Sequence, residues 1–523
     1  MRPIRKLKAE RFPSTIERWL SVSSHEYNDV CGERNDVEFA KRRRRDVQGG
    51  PLIELSVNEV VDAIKACPKG NGASHVRSPF PSVSIDSRTI QAGECFIAIT
   101  GEQFDGHDFV EEALKKGAST IIYSENSVDF SHWKDRIFLQ VEDPEVALQT
   151  LARQVRKRWG KPLLAISGSI GKTTTREFIA TLLSQRFKVV QSPGNLNNHI
   201  GVPLSLLQLM EEHQVALLEL GMNHAGEIRA LTKICNPDSA LLTNVAAVHL
   251  EFFSDLDAIA SAKGEILEGL PQEGKFFFNA DDSWLSGLAS HFSGQKVSFG
   301  LENEAGVRVS DYRLEGLREM SFVIDARGEC FTAAVPFVGK HFLYNIAAAV
   351  AVAVSFGLTR EEICEGIPKL EVPSMRGQVH QVGGEEGDPI TLWDDSYNSN
   401  PQGLQMVLET VGQLSGFSRK ILALGQMLEL GSSSPELHRQ AGQQVAQCKA
   451  DLLVTVGKDG LYIGQGAKEK GFPPEKISHF EDSQEAAEFL VKELGPGEFL
   501  LVKGSRGTRM DRIVREIEGR RGR

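Results

Sequence analysis

Apolar runs of strand length recur along the chain and alternate with helical patterns. Leu163–Ile166 enters a glycine-rich turn. Val215–Leu220, Ala240–Asn244 and Phe276–Phe278 follow, each separated from the next by helix-like spacing. Such alternation predicts a parallel sheet with covering helices. The theme returns in the C-terminal part, with strand candidates at Ile390–Trp393, Ile421–Leu424, Leu452–Val456 and Phe499–Val502. Several of these runs give way directly to polar residues or glycine, and open α/β sheets bind ligands at such strand ends. Before Gly160, Cys95–Ile99 and a helical pattern over Phe109–Lys116 outline a smaller α/β region. Residues 1–54 show no sustained apolar period and read as a poorly ordered extension. The expected organisation is that extension followed by three α/β domains at 55–160, 161–372 and 373–523.

Composition narrows the function classes. A 523-residue chain exceeds one ordinary core, and 41% hydrophobic with 25% charged residues is a soluble globular profile. The formal charge of −11 (59 basic against 70 acidic residues) argues against a nucleic-acid binder with a broadly basic surface. No stretch reaches the roughly 18–20 consecutive apolar residues of a membrane span. The basic run Lys41–Arg45 reads as a solvated charge cluster. A secretory signal lacks its apolar region here, and Glu10, Glu17, Glu26, Asp29, Glu33 and Asp36 sit badly in a transit peptide. The seven cysteines never pair as C-x-x-C, so neither a zinc site nor a disulfide framework is expected, and a reducing compartment fits.

The strongest local signal is Gly168-Ser169-Ile170-Gly171-Lys172-Thr173-Thr174, between a strand and a helical pattern. Glycines let backbone N–H groups approach phosphate oxygens, and a helix N-terminus adds its positive end. Lys172 would reach the β/γ phosphates, and the Thr173 hydroxyl would ligate Mg²⁺. A plain glycine-rich turn is the competing reading, disfavoured by the strand-then-helix context. Glu219 ends a strand and offers a hard oxygen for Mg²⁺, or is an ordinary solvated glutamate. Alone, His249 would be a hydrogen-bonded structural residue and Lys263 a surface lysine.

Taken together with further segments, these resemble the Mur ligase family, in its D-alanyl-D-alanine-adding branch, from about Leu55 onward. The segments are Asp86-Ser87-Arg88 and Asp105–Phe109, then Gly194–Pro203 and Glu219–Asn223, and finally Asp394–Pro401, Leu424–Gly431 and Val502–Arg506. The resemblance implies a uridine-nucleotide-binding domain at 55–160 with Ser87 and Arg88 on the substrate, a central ATP-binding domain at 161–372 and a C-terminal ligase domain at 373–523. It implies ATP on Gly168, Ser169, Gly171, Lys172, Thr173 and Thr174, with Asn345 at adenine and Arg376 and Asp395 meeting the nucleotide from the C-terminal domain. Two Mg²⁺ ions would be held by Thr173, Glu219, His249 and a carbamylated Lys263, with Lys172, His249 and Lys263 forming the catalytic group. Asn197, Asn198, Asn398 and Asn400 would contact substrate.

The implied substrates are UDP-N-acetylmuramoyl-tripeptide and D-alanyl-D-alanine, joined through an acyl phosphate in peptidoglycan precursor synthesis. The implied setting is a monomer in bacterial cytoplasm or plastid stroma. Another ligase of the same scaffold, or a non-catalytic nucleotide-binding relative, is the alternative. The sequence departs from the family pattern at Phe342, where asparagine is usual, at Gln426, where aspartate is usual, and at Ala246, where glycine is frequent.

Overall fold

A computed structural model describes residues 53–69, 80–101, 103–124, 132–383 and 388–521. The expected extension, with its basic run, lies almost wholly outside the described residues. The chain forms two compact units, Glu54–Leu151 and Ala152–Arg523, whose boundary falls inside the helix Pro144–Trp159.

The first unit carries a five-stranded sheet built from β1 (Cys67–Lys69), β2 (Val83–Ser84), β3 (Cys95–Ile97), β4 (Thr120–Tyr123) and β5 (Ile137–Gln140), in the order β1-β5-β4-β3-β2. β2 to β5 are parallel and β1 pairs antiparallel with β5. Phe96, Ile121, Phe138, Val110 and Leu114 form its core. The helix Val57–Ile64 starts at a capping box in which Ser56 Oγ accepts from the Glu59 N–H while Glu59 accepts from the Ser56 N–H.

The second unit holds two sheets. The larger has nine strands: β6 (Leu163–Ser167), β7 (Val189–Gln191), β8 (Val215–Glu219), β9 (Ser239–Leu242), β10 (Lys275–Asn279), β11 (Gln295–Gly300), β12 (Val307–Glu315), β13 (Glu319–Ala326) and β14 (Glu329–Val335). Their order is β14-β13-β12-β11-β10-β9-β6-β8-β7. The expected parallel sheet is present from β6 to β11, and β12 extends it before two antiparallel strands finish the edge. β6, β8 and β9 are buried along their whole length, which explains their continuous apolar sequences. The helix Lys340–Ser355 is apolar nearly all round, and its Ala347–Ala353 stretch packs with the helix Lys172–Leu183 in one core.

The second sheet has six strands: β15 (Gln378–Val382), β16 (Ile390–Asp395), β17 (Lys420–Gly425), β18 (Leu452–Val456), β19 (Ile477–Phe480) and β20 (Phe499–Lys503), in the order β15-β16-β20-β17-β18-β19. All neighbours are parallel except β15 with β16. A single apolar cluster runs from Leu164 and Phe178 through Phe342 to Trp393 and Leu404, joining the two sheets into one hydrophobic body. Among the described residues no helix is long and apolar enough to cross a membrane.

Candidate active site

The C-terminal ends of β6, β8 and β9 converge on one loop. β6 ends at Ser167 and the chain turns through Gly168 (φ +139°) and Gly171 (φ +81°) into the helix Lys172–Leu183. A side chain at Gly168 is impossible, since a Cβ there would lie 1.9 Å from Thr243 Oγ1. The loop is pinned from β9: the Ser169 N–H donates to the Asn244 carbonyl (2.9 Å), the Ile170 N–H to Asn244 Oδ1 (2.9 Å), and Thr243 Oγ1 to the Ile170 carbonyl (2.6 Å). Ser169 Oγ accepts from the Ala246 N–H at 2.9 Å. The helix that follows has no side-chain cap, so its first N–H groups are available to an anion.

Lys172 folds back on this loop, with Nζ 3.0 Å from the Gly168 carbonyl and 3.4 Å from that of Ser169. Burial pulls its pKa down, and the nearby Arg376 adds to this against the pull of Glu219 and Glu429. Thr173 Oγ1 donates to Glu219 Oε2 at 2.9 Å, and Asn197 Nδ2 donates to Glu219 Oε1 at 2.9 Å. Burial alone would raise the Glu219 carboxyl. The charges of Arg176, Lys172 and Arg376, together with the Asn197 hydrogen bond, outweigh it and hold the pKa below the usual carboxylate range.

Lys263 is 1% exposed and no carboxylate pairs with it among the described residues. Burial, reinforced by the charge of Lys172, depresses its pKa well below that of an ordinary lysine. His249 has the left-handed backbone (φ +57°), and its Nδ1 lies 2.6 Å from Glu429 Oε2, an ion-pair contact without the N–H alignment of a full hydrogen bond. Burial lowers the imidazole pKa, partly offset by Glu429.

The second sheet of the same unit supplies the facing residues. Arg376 stacks on the Tyr397 ring, 3.9 Å from its centroid, and its charge reaches both Lys172 and Glu219. At the end of β16, Asp395 Oδ2 accepts from Lys503 Nζ at 2.6 Å, and Lys503 also donates to the Asn398 carbonyl at 3.1 Å. Asn345 Nδ2 donates to the Gly171 carbonyl at 3.4 Å, which places it against the phosphate-type loop.

The sequence-derived candidates therefore divide. Gly168, Ser169, Gly171, Lys172, Thr173, Glu219, Asn197 and Asn345 come together around the loop, with Lys263, His249 and Arg376 in electrostatic reach of Lys172. Thr174 is buried within its helix. Asn198 Oδ1 accepts from the Ile200 and Gly201 N–H groups, and Asn400 caps the helix Pro401–Gln413 through Gly403 N–H, so both carry local structural duties. Asn398 is exposed and accepts from the Ser399 N–H. In the first unit, Ser87 Oγ donates to Glu112 Oε2 at 2.9 Å and Arg88 forks onto Asp86 through Nε and Nη2, both at 2.9 Å.

The departures from the family pattern are accommodated. Phe342 is 1% exposed and meets Phe337 edge to face at 5.0 Å, in the core. Gln426 Oε1 accepts from the Asp459 N–H at 3.1 Å. Arg176, Glu429 and Lys503 were not singled out from the sequence. Arg176 lies inside an ordinary helical pattern, and the other two sit in quoted segments whose partners are remote in the chain.

Residues 80–156 match the domain described as "Mur ligase family, catalytic domain", residues 166–353 the Mur ligase middle domain, and residues 376–506 the Mur ligase glutamate ligase domain. The UDP-N-acetylmuramoyl-tripeptide–D-alanyl-D-alanine ligase of Bacillus subtilis strain 168 is 30% identical over 470 residues, 89% of this chain and 99% of that protein. Its namesake from Escherichia coli K12 is 33% identical over 476 residues, with the same coverage of 89% and 99%. Among solved structures, MurF from Acinetobacter baumannii superimposes with a TM-score of 0.79 at 28% identity, covering 90% of this chain and 100% of that one. MurF ligase from Thermotoga maritima in complex with ADP gives a TM-score of 0.74 at 28% identity, covering 84% and 97%. With three family domains matched in order and relatives at this identity spanning nearly their whole length, the chain belongs to the Mur ligase family.

Proposed function

We propose that this chain is an ATP-dependent ligase that joins D-alanyl-D-alanine to UDP-N-acetylmuramoyl-tripeptide in peptidoglycan precursor synthesis. The substrates are those named for relatives covered at 99% of their length. The structural observation that carries the reading is a phosphate-type loop faced by charged residues of a second sheet. Lys172, at the start of the helix after β6, and Glu219, at the end of β8, feel Arg376, and Lys172 also feels Glu429. A ligase needs this arrangement, because an activated acyl group made on one domain must meet an amine presented by another.

ATP fits the loop. Two glycines with positive φ, an uncapped helix start and a lysine held on loop carbonyls leave polar groups directed at a polyphosphate. A solved relative in complex with ADP supports the same nucleotide class here. On binding, Lys172 Nζ exchanges the Gly168 and Ser169 carbonyls for phosphate oxygens. Asn345 would face adenine, with Arg376 and Asp395 on the nucleotide from the C-terminal side. Ser87 and Arg88 would hold the uridine end, and Asn197, Asn198, Asn398 and Asn400 the sugar–peptide or the dipeptide.

Mg²⁺ fits as well. Thr173 Oγ1 and Glu219 Oε2, 2.9 Å apart, can share one hard cation. No group of three or more His, Cys, Asp and Glu side chains among the described residues could hold a metal alone, so phosphate oxygens and water must complete the shell, as Mg²⁺ prefers. His249 and Lys263 would serve a second ion. A buried amine with a depressed pKa gives up its proton more readily than an ordinary lysine, and the neutral nitrogen can add to CO₂, releasing a proton and leaving a carbamate oxygen ligand. Bound Mg²⁺ would neutralise and align the phosphate oxygens during transfer.

The terminal carboxylate of the tripeptide attacks the γ-phosphorus while the bond to ADP breaks, giving an acyl phosphate. The dipeptide amine attacks that carbonyl carbon, loses a proton and expels phosphate, leaving the amide. Lys172 offsets the charge gathered on the transferring phosphoryl group. The same reading places a monomer in bacterial cytoplasm or plastid stroma, and light scattering tests the monomer.

The deciding experiment measures phosphate release from ATP and Mg²⁺ with the tripeptide nucleotide, with and without D-alanyl-D-alanine. Release that requires both substrates, pentapeptide seen by mass spectrometry and loss of both in Lys172→Ala are expected. ATP binding without turnover would sink the reading.

A further inference from the structure

The contact between His249 and Glu429 joins two domains at the reacting end of the site. His249 follows β9, while Glu429 lies on the loop after β17, and three independent features tie them together. Their side chains meet at 2.6 Å. The Glu251 N–H donates to the Glu429 carbonyl at 3.1 Å, and Gly431 (φ +55°) lies so close to Glu251 that a Cβ would sit 3.3 Å from its Cα. Both residues also hold left-handed backbone, φ +57° at His249 and φ +63° at Glu429, which is uncommon for a residue with a side chain. Two uncommon backbone conformations thus lie on facing loops that bring one carboxylate to one imidazole.

The chemistry of that contact is specific. It occupies Nδ1, whereas Nε2 has no hydrogen-bond partner among the described residues. A histidine that ligates a metal through one nitrogen commonly directs the other N–H to a carboxylate, which fixes the tautomer and the ring plane and increases ligand basicity. Rotation about the terminal torsion of the glutamate is soft enough to align its oxygen with the N–H.

We infer that Glu429 is a positioning residue for the metal site: it orients His249 so that Nε2 faces the cation, and the C-terminal domain thereby completes a centre whose ligands all lie in the central domain. This rests on the reading of His249 as a metal ligand given above. Glu429 itself need not touch the ion. Separation of the two domains would leave His249 free to turn, so the ion is held fully only when both domains are engaged. Metal affinity and domain contact become linked quantities.

The test titrates Mn²⁺ into the full-length protein with saturating ATP and no peptide substrate, counting bound metal by electron paramagnetic resonance. In Glu429→Ala the dissociation constant of the His249-dependent ion should rise about 10- to 100-fold. Glu429→Gln, which keeps the size and an acceptor oxygen, should show a smaller rise and guards against a folding artefact in the alanine variant. A role exerted through His249 also requires non-additivity, so adding Glu429→Ala to His249→Ala should weaken binding no further. Wild-type affinity in Glu429→Ala, additive losses in the double variant, or the absence of any His249-dependent ion in the wild type would each overturn the inference. Metal binding needs neither peptide substrate, so this outcome is independent of whether the wild type makes pentapeptide.

Discussion

Arg176 and Glu219 form an ion pair shut away from solvent, Nη1 to Oε2 at 3.4 Å, between the helix that follows the phosphate-type loop and the end of β8. Arg176 is 1% exposed, and its guanidinium also reaches Glu177 Oε1 at 2.8 Å, Gln191 Oε1 at 3.2 Å and the Gly194 carbonyl at 3.0 Å. The carboxylate that accepts the Thr173 hydroxyl is therefore favoured in its ionised form by the protein's own charges.

Removing one member of a buried pair leaves the other charge uncompensated, which typically costs about 3–5 kcal/mol. Arg176→Met should lose stability on that scale in urea unfolding and should raise the pKa of Glu219. A loss below about 1 kcal/mol would mean that solvent, rather than Arg176, balances Glu219.

Lys172 has no structural task that another residue could not share, since its Nζ contacts are two backbone carbonyls of the loop. On the proposed reading its value lies in the transferring phosphoryl group. Lys172→Ala should therefore lower kcat by about 10²-fold or more while the melting temperature stays within a few degrees. A collapse of stability in place of the rate loss would assign the side chain to the fold.

Phe342 looks from the sequence like a lost polar contact, and restoring the family's asparagine looks like a repair. The packing argues the reverse. The ring touches Phe337 and Phe178, at 5.0 and 6.3 Å between centroids, and a Cβ on Gly377 (φ +96°) would lie 2.9 Å from its Cζ. Phe342→Ala should destabilise by about 3–5 kcal/mol. Phe342→Asn should be no better, because it buries an amide among apolar rings. Thermal melting of the two variants decides between repair and damage.

What the sequence discloses follows from how each part is buried. Strands covered on both faces print a continuous apolar run, and Leu452–Val456 coincides with β18 residue for residue. At the sheet edge β13 alternates buried with half-buried positions, β12 alternates more with less exposed ones, and β14 buries only Phe331 and Val335, so none leaves such a run. β1 is exposed at all its positions and exists only through its pairing with β5. The phosphate-type loop is legible because its chemistry is local, a few consecutive residues between a strand and a helix. Arg176 with Glu219 and His249 with Glu429 are not, since no spacing in the chain announces a pairing made by the sheet or by a second domain. Asn198 and Asn400 show the opposite limit: their segments resemble substrate-binding motifs, while the carbonyl oxygens of their side chains are engaged in starting helices.

His341 supplies a pH test of the joint between the two sheets. Its Nδ1 is buried without a hydrogen-bond partner, and its ring lies 4.0 Å from that of Phe342. Burial pushes its pKa from 6.5 down to about 4, with Asp395 opposing the shift and Lys503 adding to it. Above pH ~6.5 the imidazole is neutral in both folded and unfolded chains and adds no pH dependence. Between that value and about 4 the unfolded chain takes up a proton that the folded one refuses, so stability falls on acidification by at most about 1.4 kcal/mol per pH unit. Below about 4 both forms are protonated and the loss levels off. Unfolding free energies measured at pH 7 and pH 5 should therefore converge in His341→Gln relative to the wild type, which loses more over the same interval. Equal losses in both proteins would show that His341 does not carry the acid sensitivity of this joint.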